Sequence, residues 1–508
     1  MAKLLFTLIG ASSPGTKPLN TSLLSAVAER AGHETALFDT TFMDLGFELD
    51  TEVSQKISQF KRIDYNRYNL VRDSNIDAKR EFIAAIEREQ PDIICASAMS
   101  DMFYYTVKFL TYMKEKGYDI PVICGGIHPT LQPDDAISHD CIDYIVVGEG
   151  EDVMLPLIDN ILAGENPYII TPVPVWFKRD GTVIKTTGNT LVNLDGLPLL
   201  NYDFYDNRQF LRQFEGKVLR SGDVQTMRGC PRRCSYCANA ELNKVYQTME
   251  GWTGWRVHTP ERFVEEAAYL VKKHDLEFFK FFDEDMLLRP EEDFAALSEL
   301  YRKKVNVPFT MQCHPGTVTK KKVELLRDMN CASMTISMEC GNNHYRMHQL
   351  KRRYTNERFA KTIKLIKDAG IPRVTALTMI GLPMESRKMV FETIDLARKS
   401  RPTHTNANIF FPYLGTPLGD KTVDMGFANK TEIRIAKFDA SRTLLDMPQM
   451  SAEEIESIRK MWSFYVTWPK ALYPLFQWLE KDTLIRRSLL TVLRKVEYLI
   501  KPWKKCTA

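Results

Sequence analysis

Three thiols stand within eight residues in the segment Met227-Arg228-Gly229-Cys230-Pro231-Arg232-Arg233-Cys234-Ser235-Tyr236-Cys237. Thiolates are soft ligands that select zinc or iron–sulfur clusters. A structural zinc site needs a fourth ligand and is usually built from two separated pairs. No second pair exists here, and the other seven of the ten cysteines stand alone. Three close ligands fit a four-iron, four-sulfur cluster with one iron left open, because full ligation would take four cysteines. An open iron can bind a substrate and pass it an electron. Cys230, Cys234 and Cys237 are therefore the expected metal ligands.

Such a loop needs rigid elements to hold it. From residue 222 onward strand and helix patterns alternate. Strands are predicted over 223–227, 278–282, 308–312, 333–338, 373–379 and 405–410, with helices over 260–273, 290–302, 320–329, 356–369 and 386–400. Six such units predict a partial (β/α)6 barrel with its site on the loops after the strands. Upstream, apolar runs at 3–9, 34–38, 92–97, 121–126 and 142–148 alternate with helical patterns at 22–31, 78–89, 103–116 and 152–162. Continuously apolar strands signal a parallel sheet covered on both faces. A doubly wound, Rossmann-like domain follows, with its ligand at the carboxyl ends of the strands. The loops after Ile9, Ser97, Gly126 and Gly148 should then form one rim. The fold class is α/β, divided into residues 1–165, a linker with a hairpin over 166–221, the barrel over 222–425, and a helical region over 426–508.

Composition narrows the class. The 508 residues are 44% hydrophobic and 26% charged, as in ordinary globular proteins. Lys plus Arg is 68 against 65 Asp plus Glu, leaving +3, without the dominant basic field of a nucleic-acid binder. No apolar run suggests a membrane span or a secretory signal, and the cysteines are too sparse for a disulfide scaffold. A reducing cytoplasm is expected. The basicity sits in the tail, where residues 481–508 carry eight Lys/Arg against Asp482 and Glu497. Ile485, Leu489, Val492, Val496, Leu499 and Ile500 follow helical spacing, with Arg487, Arg494 and Lys501 opposite and Trp503, Lys504 and Lys505 beyond. A helix docked on the barrel with a solvated basic face is the favoured reading. The other is a helix in peripheral contact with a membrane.

The CxxxCxxC spacing, with Tyr236 before the last cysteine, resembles the signature of radical S-adenosylmethionine (SAM) enzymes. The resemblance covers about residues 222–425. It implies a cluster whose open iron chelates SAM, reductive cleavage to a 5′-deoxyadenosyl radical, and a one-electron donor such as flavodoxin or ferredoxin. Phe281-Phe282-Asp283-Glu284-Asp285 stands where the family meets the methionine amine, which implies Glu284 as a SAM contact. Ile336-Ser337-Met338-Glu339-Cys340-Gly341 resembles the ribose-contacting segment, implying Glu339. Gly381 and Pro383, in Met379-Ile380-Gly381-Leu382-Pro383-Met384-Glu385, match the loop on the adenine side, and Pro412-Tyr413-Leu414-Gly415-Thr416-Pro417 the turn after the sixth strand. Arg256 and Arg352-Arg353 are similar to basic residues of these families, although Arg353 reads better as solvated. His314 reads first as a polar loop histidine and second as a substrate contact.

The upstream segments Gly125-Gly126-Ile127-His128 and Gly148-Glu149-Gly150-Glu151 resemble a cobalamin-binding domain. Glycines after a strand let backbone approach a flat ligand. The implied cobalamin contacts are Ser97, Ser100, Gly125, Gly126, Gly148 and Glu149. One departure stands out: the loop after the first strand has no histidine, the first in the chain being His33, so cobalt should lack a lower histidine from that motif. His128 lies in a different loop and is not carried over as a ligand. The resemblance implies 4Fe-4S, SAM and cobalamin as cofactors. The leading activity is radical methylation of an unactivated carbon, through methylcobalamin, in a small or lipid-like metabolite. Alternatives are a radical oxidation or cyclisation like the anaerobic magnesium-protoporphyrin monomethyl ester cyclase, and a cobalamin-binding sensor or assembly protein with a structural cluster.

Overall fold

The computed structural model describes residues 1–10, 14–47, 63–165, 171–436, 441–481 and 484–500, together with residues 52 and 61. The expected features at Lys501, Trp503 and Lys504-Lys505, and the side chains of Ile485, Arg487, Leu499 and Ile500, lie outside what is described.

The first sheet is built from β1 (Lys3–Leu8), β2 (Glu34–Asp39), β3 (Ile93–Ser97), β4 (Val122–Gly125) and β5 (Tyr144–Val146), all parallel in the order β2-β1-β3-β4-β5. β1, β3 and β4 are almost wholly buried, as strands covered on both faces must be. The hairpin β6 (Val175–Arg179) and β7 (Thr182–Lys185) forms where Asp180-Gly181 supplies the turn, both residues with positive φ. It does not stand apart as a linker feature. β6 pairs antiparallel with β5 and makes the sheet seven-stranded.

A second hairpin, β8 (Leu211–Phe214) and β9 (Lys217–Val224), turns at Glu215-Gly216 and opens the second sheet. β9 is the barrel's first strand, so that strand begins six residues before the expected start. β10 (Met227–Arg228) and β11 (Arg256–Val257) form a two-stranded ribbon beside it, Arg228 opposite Arg256. Then come β12 (Phe278–Phe281), β13 (Phe309–Cys313), β14 (Cys331–Glu339), β15 (Arg373–Ile380) and β16 (His404–Ile409). The order β16-β15-β14-β13-β12-β9-β8 is parallel except for β8, giving an open half-barrel. The helices between the strands start on side-chain caps: Thr259, Thr319, Thr355 and Ser386 each accept a backbone N–H from the first turn. The apolar core lies between these helices and the outer face of the sheet, around Phe281, Phe309, Met334 and Ile363.

The C-terminal region packs helix Ala452–Thr467 against the last strands, with Trp462 and Ile455 fully buried. The last helix, Leu484–Ile500, docks on this layer through Leu490 and Leu493. That is one position beyond the expected stripe, since Leu489 is 37% and Val492 55% exposed. Among the described residues no helix is long and apolar enough to cross a membrane.

Candidate cofactor and substrate site

The cysteine loop leaves β10 and is fastened at several points. Asn243 donates to the Cys230 carbonyl at 2.7 Å, and Ser235 donates its N–H to Leu350 O at 3.1 Å and its hydroxyl to Gln349 O at 2.6 Å. The Ser235 carbonyl accepts from Leu418 N at 2.7 Å, which ties the turn after β16 to the loop. Burial pushes the Cys230 thiol up to about 12 and raises Cys237 as well. A thiolate in such surroundings persists only against a compensating cation, and iron is one. Among the described residues no three metal-ligating side chains converge on a single ion. A cluster makes no such demand, because each cysteine takes a different iron.

Beside the loop, Tyr236 Oη donates to Glu339 Oε1 at 2.8 Å and meets Arg352 Nη1 at 3.1 Å. The same guanidinium lies 3.7 Å from Cys234 Sγ and 3.8 Å from Glu339 Oε1. Glu339 sits at a register shift in β14 with φ of +60°, a left-handed conformation that costs a non-glycine residue about 1–3 kcal/mol. The strain turns a strand-end carboxylate toward the cysteine loop. Arg352 thus belongs to the site, whereas Arg353 is exposed. Gly381 (φ +71°) and Pro383 lie at the end of β15: a Cβ on Gly381 would come 2.9 Å from Ile455, and the Pro383 carbonyl accepts from Tyr345. Gly381 packs against the C-terminal helical layer, and Pro383 meets the helix Asn343–His348.

Between the two sheets lies a cavity of about 700 Å³. Ile9, Ser97, Gly125, Gly126, Gly148 and Glu149 line one wall, which is the rim expected from the loops; Ser100 is not among the lining residues. Gly126 has φ of +102°, and a Cβ there would come 2.8 Å from the Ala98 carbonyl. At Gly148 (φ +109°) a Cβ would touch Tyr246. The floor is therefore bare backbone, shaped for a broad flat ligand. The other wall comes from the barrel, with Arg228, Gly229, Tyr246, Trp252, Lys280 and Glu284. The cavity reaches the residues just before Cys230, so both expected cofactors would face one space.

Electrostatics couple the walls. Arg228 donates to Glu151 at 2.6 Å and lies 3.2 Å from Glu149, which also accepts from Arg256. Burial works against the Arg228 charge, but Glu151 and Glu149 outweigh it and hold its pKa above the ordinary value. Arg256 bridges Glu149 and the Val192 carbonyl.

Of the acids after β12, Asp283 is committed to Thr226, whose N–H and hydroxyl donate to it at 2.8 and 2.7 Å, and Asp285 to Thr317 at 2.9 Å. Glu284 alone lines the cavity, and its Oε2 is buried without a partner. Burial, with help from Asp283, pushes it up to about 7. His314 is buried edge-on to Tyr354, with Nδ1 accepting from Gly316 N and Nε2 unpartnered; burial pushes it down to about 2. His128 stacks on Phe103 at 3.9 Å and meets Asp135 at 3.0 Å, a packing role away from the cavity. The only histidine lining the cavity among the described residues is His258, from the barrel side.

The radical SAM superfamily matches residues 224–397, and the B12 binding domain matches residues 8–158. The chain joins a B12-binding domain to a radical SAM domain. The cysteine loop and the glycine-floored cavity fit the SAM-binding and B12-binding roles that these two domains carry. The enzyme is 23% identical to an uncharacterized methyltransferase of Pyrococcus horikoshii, over 76% of this chain and 81% of that one. It is 26% identical to the anaerobic magnesium-protoporphyrin IX monomethyl ester cyclase of Rubrivivax gelatinosus, over 69% of this chain and 62% of the cyclase. Its fold is that of the cobalamin-dependent SAM radical enzyme OxsB, with a TM-score of 0.64 at 14% identity, over 99% of this chain and 72% of OxsB.

Three features escaped the sequence reading: hairpin β8–β9, the ion pairs of Arg228, and Lys280 in the cavity. Alternation of Lys280, Phe282 and Glu284, running from β12 into the loop after it, could have signalled the third.

Proposed function

We propose that the enzyme methylates an unactivated carbon of a small or lipid-like metabolite. The observation that carries this reading is the shared cavity: its glycine floor and the residues leading to the cysteine loop open onto one space between the two sheets. When bound, the cluster with SAM supplies hydrogen-abstraction chemistry and cobalamin a transferable methyl group. Cys230, Cys234 and Cys237 would hold the cluster, with Arg352 balancing its negative charge near Cys234. Tyr236, Glu339 and Glu284 would orient SAM, and Gly381 and Pro383 would shape the adenine side. Ser97, Gly125, Gly126, Gly148 and Glu149 would seat cobalamin, with Ser100 outside the lining and so a weaker candidate. The walls from both sheets would exclude water from a reactive radical.

The 26% identity to the cyclase supports a second reading, radical oxidation or cyclisation. Reaction with methyl-labelled SAM separates the two: a labelled product supports methylation, and an unlabelled desaturated or oxygenated product supports the cyclase. Cys234→Ala should abolish both cluster absorbance and 5′-deoxyadenosine formation. Cleavage that survives this change would reject the reading, and would leave the cluster a structural role.

A further inference from the structure

Among the described residues, the buried and half-buried cations lining or flanking the cavity are matched with one exception. Arg228 meets Glu149 and Glu151, Arg262 lies 3.4 Å from Glu266, and Arg212 meets Asp223 at 2.5 Å. The Lys17 ammonium donates to two backbone carbonyls, Gln209 O at 3.0 Å and Ser221 O at 2.8 Å. Lys280 differs. It lies on β12 in register with Asp223 and Thr310, lines the cavity, and has its ammonium 4.0 Å from the centre of the Phe282 ring. Among the described residues no carboxylate or carbonyl bonds to it. Asp223, the nearest acid in register, is already taken up by Arg212 and by the Lys17 N–H.

An unmatched ammonium largely withdrawn from water is costly unless something anionic arrives. Phe282 can steady the cation but does not neutralise it. Three rotatable donors on a flexible stem suit a carboxylate or phosphate approaching as a point charge. We propose that Lys280 anchors an anionic group, carboxylate or phosphate, on the substrate. The proposal rests on the reading that this cavity receives the substrate. Burial, reinforced by Arg212, pushes Lys280 down to about 8, which makes its amine measurably reactive near neutral pH and gives the test a handle.

The same anion could come from the phosphodiester of cobalamin itself, and the test separates the sources. Protein with a reconstituted cluster, with and without cobalamin, is pulsed with acetic anhydride at constant ionic strength, in chloride alone or with about 20 mM inorganic phosphate or acetate added. Peptide mass analysis then follows acetylation of Lys280, with exposed Lys320 as reference (81% of its side chain accessible). Phosphate or acetate should slow Lys280 acetylation in the cobalamin-loaded protein about threefold, the factor 1 + [L]/Kd gives when ligand is at twice Kd. Lys320 and the already bonded Lys17 should not respond. Absence of protection by either anion overturns the proposal. So does full protection by cobalamin alone, which would give the site to the cofactor. SAM cleavage in the same sample reports on the proposed function separately: its loss with protection intact removes the radical reading and leaves the anion site standing.

Discussion

Replacing Glu284 by Gln tests the electrostatics of the cavity most directly, because the change keeps the shape and removes the charge. The carboxyl is pushed from an ordinary 4.5 to about 7 by burial, with one oxygen unpartnered. Between these two values the folded protein holds a proton that the unfolded chain has released. Stability therefore falls as pH rises through that window, and the cost is complete above pH ~7. The displacement corresponds to about 3 kcal/mol. Glutamine carries no such cost, so protein without added cofactors should melt alike for both forms near pH ~5. Near pH ~8.5 the variant should melt higher by about 6 °C, taking the lower end of the usual 2–4 °C per kcal/mol. Differential scanning fluorimetry at the two pH values measures this. Parallel curves, with the same offset at both, would refute the account of Glu284 as a buried carboxylate with one oxygen unpartnered.

Gly126→Ala should place a methyl group 2.8 Å from the Ala98 carbonyl at a positive φ and weaken cobalamin retention about tenfold, the equivalent of about 1.4 kcal/mol. Absorbance after gel filtration measures the loss, and iron content should not change. Arg228→Met leaves Glu151 buried without its cation, at a cost of about 3–5 kcal/mol. Urea unfolding measures the loss as a lower midpoint, and an unchanged midpoint would refute the pairing. Leu493→Asp should undock the last helix and expose it to limited proteolysis, whereas Val492→Asp, on the exposed face, should leave the digestion pattern unchanged.

The parallel strands of both sheets were legible because strands between covering helices must be largely apolar and end in turn residues, as Ile94 to Ser97 in the first sheet and Val374 to Ile380 in the barrel do. The cysteine loop was legible because its chemistry is local. Hairpin β8–β9 was not: Leu211–Phe214 is partly exposed throughout and mixes polar with apolar residues, so its pairing is set by the neighbouring sheet edge. The contacts of Arg228 with Glu151 and of Arg256 with Glu149 span 77 and 107 residues, and no pattern in one segment announces a partner in another. In the last helix a one-residue offset turns the apolar stripe by about 100°. Helical spacing alone leaves that choice to packing, which selected Leu490 and Leu493.

The Arg228–Arg256 ribbon bears on modularity. A cofactor domain joined by a linker can be exchanged between relatives like a cassette. Here Glu149 and Glu151 of one half end on two arginines of the other, and Arg228 stands two residues before the first cysteine. A transplanted N-terminal half without carboxylates at those positions would leave two guanidinium groups buried and unmatched. It would also move the wall that sets the distance between the expected cofactors. Exchange between relatives must therefore carry the four charges together, and the unit that can be inherited or engineered is the pair of halves.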